Sequence, residues 1–319
     1  MTDLALQKVS TFISTIVRAA RRRQRGVVGA AFRVLEVISP AVGARWALRL
    51  WCRPPGGAQR RDDWRPGPGR VSTLRAAGSP SVVVETWGYG PPVYLLHGWG
   101  GWRGQLGAFV EPLVDGGYRA IAVDAPSHGD SAPGASGQGK STMIEFAQTL
   151  ATVVRVHGTP VAVVAHSMGG AAATLAIRDG LDVPRAVFVA PAADPLTRTQ
   201  EFAEFLGIGP RTHRHMLVLL GELAARPMSD FDARTLPGDL APPTLVIHDR
   251  EDRDVPYSDG VAIAHAWPGA ELMSTIGLGH RRILREAAVV DAAVDFVRLT
   301  ADHRVGANPA PILAGSVPG

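Results

Sequence analysis

Val161-Ala162-Val163-Val164-Ala165-His166-Ser167-Met168-Gly169-Gly170 decides the reading of this chain. An apolar, β-branched run stops at a serine and continues as a small-residue helical stretch, Ala171 to Ile177. Buried strand, sharp turn and close-packed helix are the setting that a serine nucleophile elbow requires. Such a turn holds Ser167 in a strained conformation with its hydroxyl above the sheet edge. Glycines after it let a neighbouring strand and helix approach without a Cβ clash. The first glycine of the G-x-S-x-G pattern is replaced by Ala165, a change small enough to be tolerated. The alternative for this segment is a βα turn whose serine merely caps the helix.

Working outward, the order of elements predicts an α/β fold. Val71–Arg75 and Ser81–Trp87, separated by Ala-Ala-Gly-Ser-Pro, read as a hairpin. Strands follow at Pro92–Leu96, Arg119–Val123, 161–166, Ala186–Ala190, Thr244–His248 and 271–276. Helices are expected at 102–115, 141–157, after Ser167, at 258–266 and from 281 to 300, with a mixed helical section over 196–235. Strands alternating with helices at these lengths imply a doubly wound, mainly parallel, eight-stranded sheet.

The 319 residues fit one large domain or a domain with an appendage, and 46% hydrophobic content supports a substantial core. Residues 4–52 read as two or three helices with Arg21–Arg25 between apolar patterns, and Pro40 interrupts the second. These helices have two available fates. They pack on the main domain or a second subunit, or they lie on an anionic membrane surface as a peripheral contact. Residues 53–70, rich in Pro, Gly and Arg, read as a linker that closes a segment 1–70. The body is expected at 71–302, and the tail from 303 to 319 has little to bury. Cys52, the single cysteine, cannot form an internal disulfide. The order of charge and apolar residues at the N-terminus is wrong for a secretory signal, and a cytoplasmic protein is the default expectation. No Cys/His cluster has zinc spacing, and no metal or cofactor is expected. Net charge is +4, almost all from arginine; no nucleic-acid partner is expected.

A serine hydroxyl needs a base, the base an orienting carboxylate, and the oxyanion two donors. His280, in Gly277-Leu278-Gly279-His280 after the last short strand, is the histidine placed to serve as base. The loop after Thr244–His248 offers Asp249, Glu251, Asp252 and Asp254, and spacing alone does not choose among them. The turn His97-Gly98-Trp99 offers the backbone N–H of Trp99, and Met168 offers a second N–H just after the serine.

The ordered set LLHGWGG (95–101), DAPSHGDS (124–131), AHSMGG (165–170), HDREDRDVP (248–256) and GLGH (277–280) resembles the α/β-hydrolase superfamily over roughly residues 71–300. The resemblance implies Ser167 as nucleophile, His280 as base, and backbone Trp99 and Met168 as oxyanion hole. It also selects Asp252, because the family's D-x-x-V-P pattern falls on Asp252, Val255 and Pro256. It implies a serine esterase working through an acyl-enzyme, with an acyltransferase or a thioesterase as the alternative use of one triad; the apolar residues between 193 and 240 suggest acyl groups of short to medium length. A serine at this position disfavours the dehalogenase and epoxide-hydrolase branches, which use aspartate. Ser127 departs from the family's usual glycine. The family places a cap at about 193–240, and the residues expected to wall the substrate pocket are Trp99, Trp102, Met168, Phe202 and Phe205. His213 and His215 are expected to face solvent.

Gly134 to Ser141 also satisfies G-x-x-x-x-G-K-S to the letter. A phosphate-cradling loop runs directly from a strand into a helix, and Pro126, Gly129 and Pro133 intervene here. The stretch is expected to be a surface loop with Ser141 as the N-cap of the following helix, leaving nucleotide binding a remote alternative.

Overall fold

A computed structural model of the chain describes residues 26–55, 64–75 and 80–298. The expectations for residues 4–25 with their Arg21–Arg25 cluster, for residues 56–63 of the 53–70 linker, for the turn at 76–79 and for the tail after 303 lie outside the described residues.

The chain divides into two compact units: Pro55–Ala193 with Ala233–Gly319, and Met1–Pro54 with Asp194–Asp232. The first holds an eight-stranded sheet, β1 (Arg70–Leu74), β2 (Val82–Trp87), β3 (Pro92–Leu96), β4 (Arg119–Val123), β5 (Ala162–His166), β6 (Ala186–Val189), β7 (Thr244–Asp249) and β8 (Ala270–Thr275). Their order across the sheet is β1-β2-β4-β3-β5-β6-β7-β8. β2 pairs antiparallel with β1 and β4, and every other neighbouring pair is parallel. The central strands are covered on both faces, which is why they read as unbroken apolar runs rather than alternating ones. Val93, Leu95, Ala122, Val164, Val187 and Ile247 face one core, completed by Leu106, Phe109 and Leu113 and by Val289, Val294 and Phe296. On the opposite face Phe188 meets Trp267 edge-on at 5.5 Å.

This unit carries helices α3 (Val110–Asp115), α4 (Met143–His157), α5 (Met168–Arg178), α8 (Tyr257–Ala266), α9 (Gly279–Arg282) and α10 (Ala287–Arg298). Three details differ from the sequence reading. The stretch expected as one helix over 102–115 is a 3-10 segment at Arg103–Phe109 followed by α3. The terminal helix is broken, with α9, a 3-10 turn at Ile283–Arg285 and then α10. The N-cap of α4 is Thr142, not Ser141: Thr142 Oγ1 accepts the Glu145 N–H at 3.2 Å and donates back to the Glu145 carboxylate at 3.1 Å. This is the N-cap half of a capping box, with the Glu145 carboxylate taking the Thr142 hydroxyl instead of a backbone N–H. β4 ends at Val123 and α4 begins at Met143, so Gly134–Ser141 lacks the strand-to-helix setting that phosphate binding needs.

The second unit is helical: α1 over the described residues 26–38, α2 (Pro40–Trp51), α6 (Pro195–Leu206) and α7 (Pro210–Ala224). Its core joins Phe32, Ala44, Ala47, Ala203, Ile208 and Met216, and Phe32 stacks on Trp46 at 4.4 Å. A Cβ at Gly43 would lie 2.9 Å from Thr212 Cγ2, so glycine lets α2 and α7 close together. The Glu36 carboxylate accepts the N–H groups of Arg211 and Thr212, each at 2.9 Å. It thereby caps the start of α7 with a negative charge. Burial raises the Glu36 pKa, but the Thr212 and Arg211 hydrogen bonds outweigh it and hold the carboxyl below its ordinary value. Among the described residues, 26–54 of the segment read as an N-terminal extension and 194–232 of the segment read as a cap form one helical unit, while 64–70 and 233–240 belong with the sheet. Trp64 N–H bonds Gly104 O at 3.3 Å, and Arg65 pairs with Glu85 at 2.5 Å.

Candidate active site

Ser167 sits between β5 and α5 with φ 55° and ψ −124°, in the positive-φ region that costs a non-glycine residue on the order of 1–3 kcal/mol. The strain is held by the surroundings. Ser167 N–H bonds Val189 O at 3.0 Å, and Gly170 N–H bonds Ser167 O at 2.9 Å. A Cβ at Gly169 would lie 2.6 Å from the carbonyl oxygens of Leu96 and His97, so only glycine lets α5 begin this close to β3. Ala165 is fully buried and pairs in register with Leu96 and Phe188. It sits in regular strand, which explains why a methyl group is accepted there.

The loop after β3 presses on the serine. A Cβ at Gly98 would fall 2.9 Å from Ser167 Cβ, which sets the Trp99 backbone beside the elbow. Met168 occupies the first helical position of α5, where an N–H has no acceptor within its own helix. Two buried histidines stitch this loop in place. His97 Nδ1–H donates to Gly98 O at 2.7 Å, and its Nε2 accepts the Ala125 N–H at 3.1 Å. His128 Nδ1–H donates to Pro126 O at 2.9 Å, and its Nε2 accepts the Gly100 N–H at 3.0 Å. Each ring needs one donor and one acceptor nitrogen, so both are neutral. Burial accounts for this, pulling His97 down to about 4 and His128 to about 3. Ser127, at the position where the resemblance expects glycine, adopts φ 60°; the turn keeps its left-handed geometry with a serine in it.

Beneath the loop lies a buried ion network. Arg103 reaches Glu85 at 2.8 Å, Asp130 at 2.9 Å and Asp124, and its own N–H donates to Asp124 Oδ1 at 2.7 Å. The Glu85 and Asp124 side chains are fully buried.

His280 lies on α9, in the first turn of a short helix rather than in the loop ahead of one. Its Nδ1 donates to Asp252 Oδ2 at 2.7 Å, which leaves Nε2 as the free acceptor. The Asp252 side chain is fully buried, and its Oδ1 accepts the N–H groups of Asp254 at 2.8 Å and Val255 at 3.0 Å. Burial alone would raise the Asp252 pKa. Hydrogen bonds from His248 and His280 and the Val255 N–H overcome that and hold the carboxyl well below its usual range. The competing carboxylate, Asp249, is used differently. It accepts the Thr275 hydroxyl at 2.7 Å and the N–H groups of Leu278 at 3.0 Å and Glu251 at 2.9 Å. It therefore ties β7 to the segment that delivers His280. Asp254 and Glu251 are exposed.

Two residues escaped the sequence reading. His166, the variable position of the elbow, lies against the His280 ring at 4.6 Å with the two planes tilted by 44°, and bonds the His280 carbonyl through Nε2 at 3.0 Å. Burial keeps it neutral by lowering its pKa well below the ordinary value. His248 Nε2 donates to Val255 O at 3.1 Å and lies 3.5 Å from Asp252 Oδ2. Both stand inside quoted motifs, next to the residues they support; that adjacency was the available signal.

The expected pocket residues fare unequally. Trp99 and Met168 are half-buried beside the elbow, and Trp99 packs edge-on against His128 at 5.2 Å. Trp102 is buried, with the Arg65 and Arg103 guanidiniums 4.9 and 5.4 Å from its ring. In the helical unit Phe202 packs against Trp51 at 5.3 Å and Phe205 is exposed. His215 is exposed, but His213 is half-buried against Thr199 Oγ1 at 3.2 Å rather than facing solvent. Among the described residues no group of three or more His, Cys, Asp or Glu could hold a metal ion, and no helix is long and apolar enough to cross a membrane.

A family model described as "Alpha/beta hydrolase family" matches residues 93–292. Non-heme chloroperoxidase CPO-A1 of Kitasatospora aureofaciens is 39% identical over 93 residues, which is 28% of this chain and 32% of that protein. Pimeloyl-(acyl-carrier protein) methyl ester esterase of Xanthomonas campestris pv. campestris is 29% identical over 253 residues, covering 66% of this chain and 96% of that protein. Among solved structures, the esterase EaEST from Exiguobacterium antarcticum superposes with a TM-score of 0.56 at 19% identity, over 72% of this chain and 100% of that one. With its sheet order, its elbow and a family match over most of the sheet-bearing unit, the chain belongs to the alpha/beta hydrolase family.

Proposed function

We propose that the protein is a serine hydrolase of carboxylic esters, working through an acyl-enzyme on Ser167. The single observation that carries the reading is the His280 Nδ1 to Asp252 Oδ2 hydrogen bond of 2.7 Å, in a chain whose elbow serine is held at positive φ. With Nδ1–H committed to Asp252, His280 Nε2 takes the Ser167 proton as Oγ attacks the ester carbonyl. The backbone N–H groups of Trp99 and Met168 receive the oxyanion, each worth about 100- to 1000-fold in rate. His280 then returns the proton to the departing alcohol, and water repeats the sequence to free the acid.

Relatives bearing the name methyl ester esterase support an ester substrate. An acyl group of short to medium length fits an esterase with Trp99 and Met168 as its apolar wall. Transfer of the acyl group to an alcohol or thiol uses the same residues, and product partition with either nucleophile added separates hydrolysis from transfer. The direct test is p-nitrophenyl acetate and butyrate turnover by wild type and Ser167→Ala. Loss of turnover at unchanged melting temperature is the expected result; near-normal turnover in the variant rejects the mechanism.

A further inference from the structure

Charge in this chain is segregated. Residues 1–53 contain ten Lys and Arg against Asp3 and Glu36, a net +8, whereas the remaining 266 residues carry 23 basic and 27 acidic groups, a net −4. Glu36 is spent on the start of α7. The outward side of α1 is apolar as well as basic at its border. Val27, Ala30, Val34, Val37 and Ile38 are all exposed and fall at i, i+3, i+7, i+10 and i+11, one face of a helix. Val27 is 66% exposed, Val37 77% and Ile38 75%. On α2, Val42 with Arg45 and Arg49 repeats the pattern at i, i+3 and i+7, all exposed. The inward side, with Phe32 and Ala44, is already buried in the core of the helical unit. The outward stripe is therefore a second apolar face, not a misplaced core. We propose that α1 and α2 dock this protein on an anionic lipid surface, with Val27, Val34, Val37 and Ile38 entering the acyl boundary and Arg33, Arg45, Arg49 and Arg53 meeting lipid headgroups.

The observations favour lipid over the other occupants. A nucleic acid would match the charge and leave the valines with nothing apolar to bury against. A second copy would match the valines and oppose eight net positive charges with eight more. An anionic bilayer satisfies both, each arginine near its surface strengthening binding about fivefold at low salt.

The test is co-sedimentation of the full chain with 1:1 phosphatidylglycerol/phosphatidylcholine vesicles and with phosphatidylcholine alone, for wild type and the double variant V37D/I38D. Both positions are exposed, and a thermal melt verifies that the variant is folded. Wild type is expected to sediment with the anionic vesicles only and to be released as salt rises from 0.1 to 1 M. V37D/I38D is expected to partition at least tenfold more weakly. The proposal is overturned if wild type does not bind, if it binds both vesicles equally, or if the variant binds as well as wild type. A dimer that V37D/I38D dissociates, without vesicle binding by wild type, would assign the face to a second copy instead.

Discussion

Replacing Asp252 with asparagine is the perturbation most sharply defined by the geometry. Asp252 Oδ1 accepts two loop N–H groups, from Asp254 and Val255, and an amide oxygen can keep both. Oδ2 faces His280 Nδ1 at 2.7 Å, and in the variant an NH2 group stands there instead. Two donors cannot share that contact, so His280 must turn its unprotonated nitrogen toward the new amide and carry its proton on Nε2. The base then presents a proton to Ser167 when it should accept one. Loss of the correct tautomer, and of the negative charge that stabilises the imidazolium, costs on the order of 10,000-fold in kcat, about 5.5 kcal/mol of transition-state stabilisation. Asp252→Asn should melt within about 2 °C of wild type, since its loop bonds survive. Asp249→Asn supplies the contrast. That carboxylate holds the Thr275 hydroxyl and the Leu278 and Glu251 N–H groups, so its loss should lower stability while costing far less in kcat. Steady-state hydrolysis of p-nitrophenyl acetate with parallel melting curves reads both quantities. A kcat within tenfold of wild type for Asp252→Asn would refute the orientation argument.

Other outcomes follow from the packing. Gly98→Ala places a methyl against Ser167 Cβ at 2.9 Å; kcat should fall at least tenfold with the fold retained, measured by ester turnover and circular dichroism. Arg103→Met leaves the buried carboxylates of Glu85 and Asp124 without their cation. It should cost about 3–5 kcal/mol, a melting temperature lower by about 10 °C. Acid should weaken the protein before most carboxylates titrate. His97, His128 and His166 have folded pKa values below the ordinary 6.5, so the unfolded chain binds more protons as pH drops below 6.5, and stability falls with it. His97 alone, at about 4, accounts for about 3 kcal/mol by pH 4. Melting temperatures at pH 7.5, 5.5 and 4.5 should decline steadily, and a flat profile to pH 4.5 contradicts the neutral-histidine assignments.

What sequence made legible was what local patterning controls. The inner strands are buried on both faces, so they appear as apolar runs, and β4 begins and ends where that run predicts. The N-cap of α4 was missed although its signal was present: Thr142 with Glu145 has the capping-box spacing, and Ser141 with Ile144 does not. The break between α9 and α10 left no trace, since residues 280–298 contain neither glycine nor proline. The union of the N-terminal helices with the insert was equally silent. It rests on contacts such as Glu36 to Arg211, 175 residues apart, and on an apolar inner face that any partner would satisfy. Trp102 shows the limit for site residues. An aromatic next to a catalytic loop reads the same whether it lines a pocket or lies beneath an arginine network.

The central claim is that Ser167 is the nucleophile, and covalent labelling tests it most directly. The native protein is treated with a fluorophosphonate, digested and analysed by mass spectrometry. The account predicts one adduct per chain, on the peptide bearing Ser167, formed at least a thousandfold more slowly in Asp252→Asn. An unlabelled Ser167, or an adduct on another serine with ester turnover abolished, would contradict it.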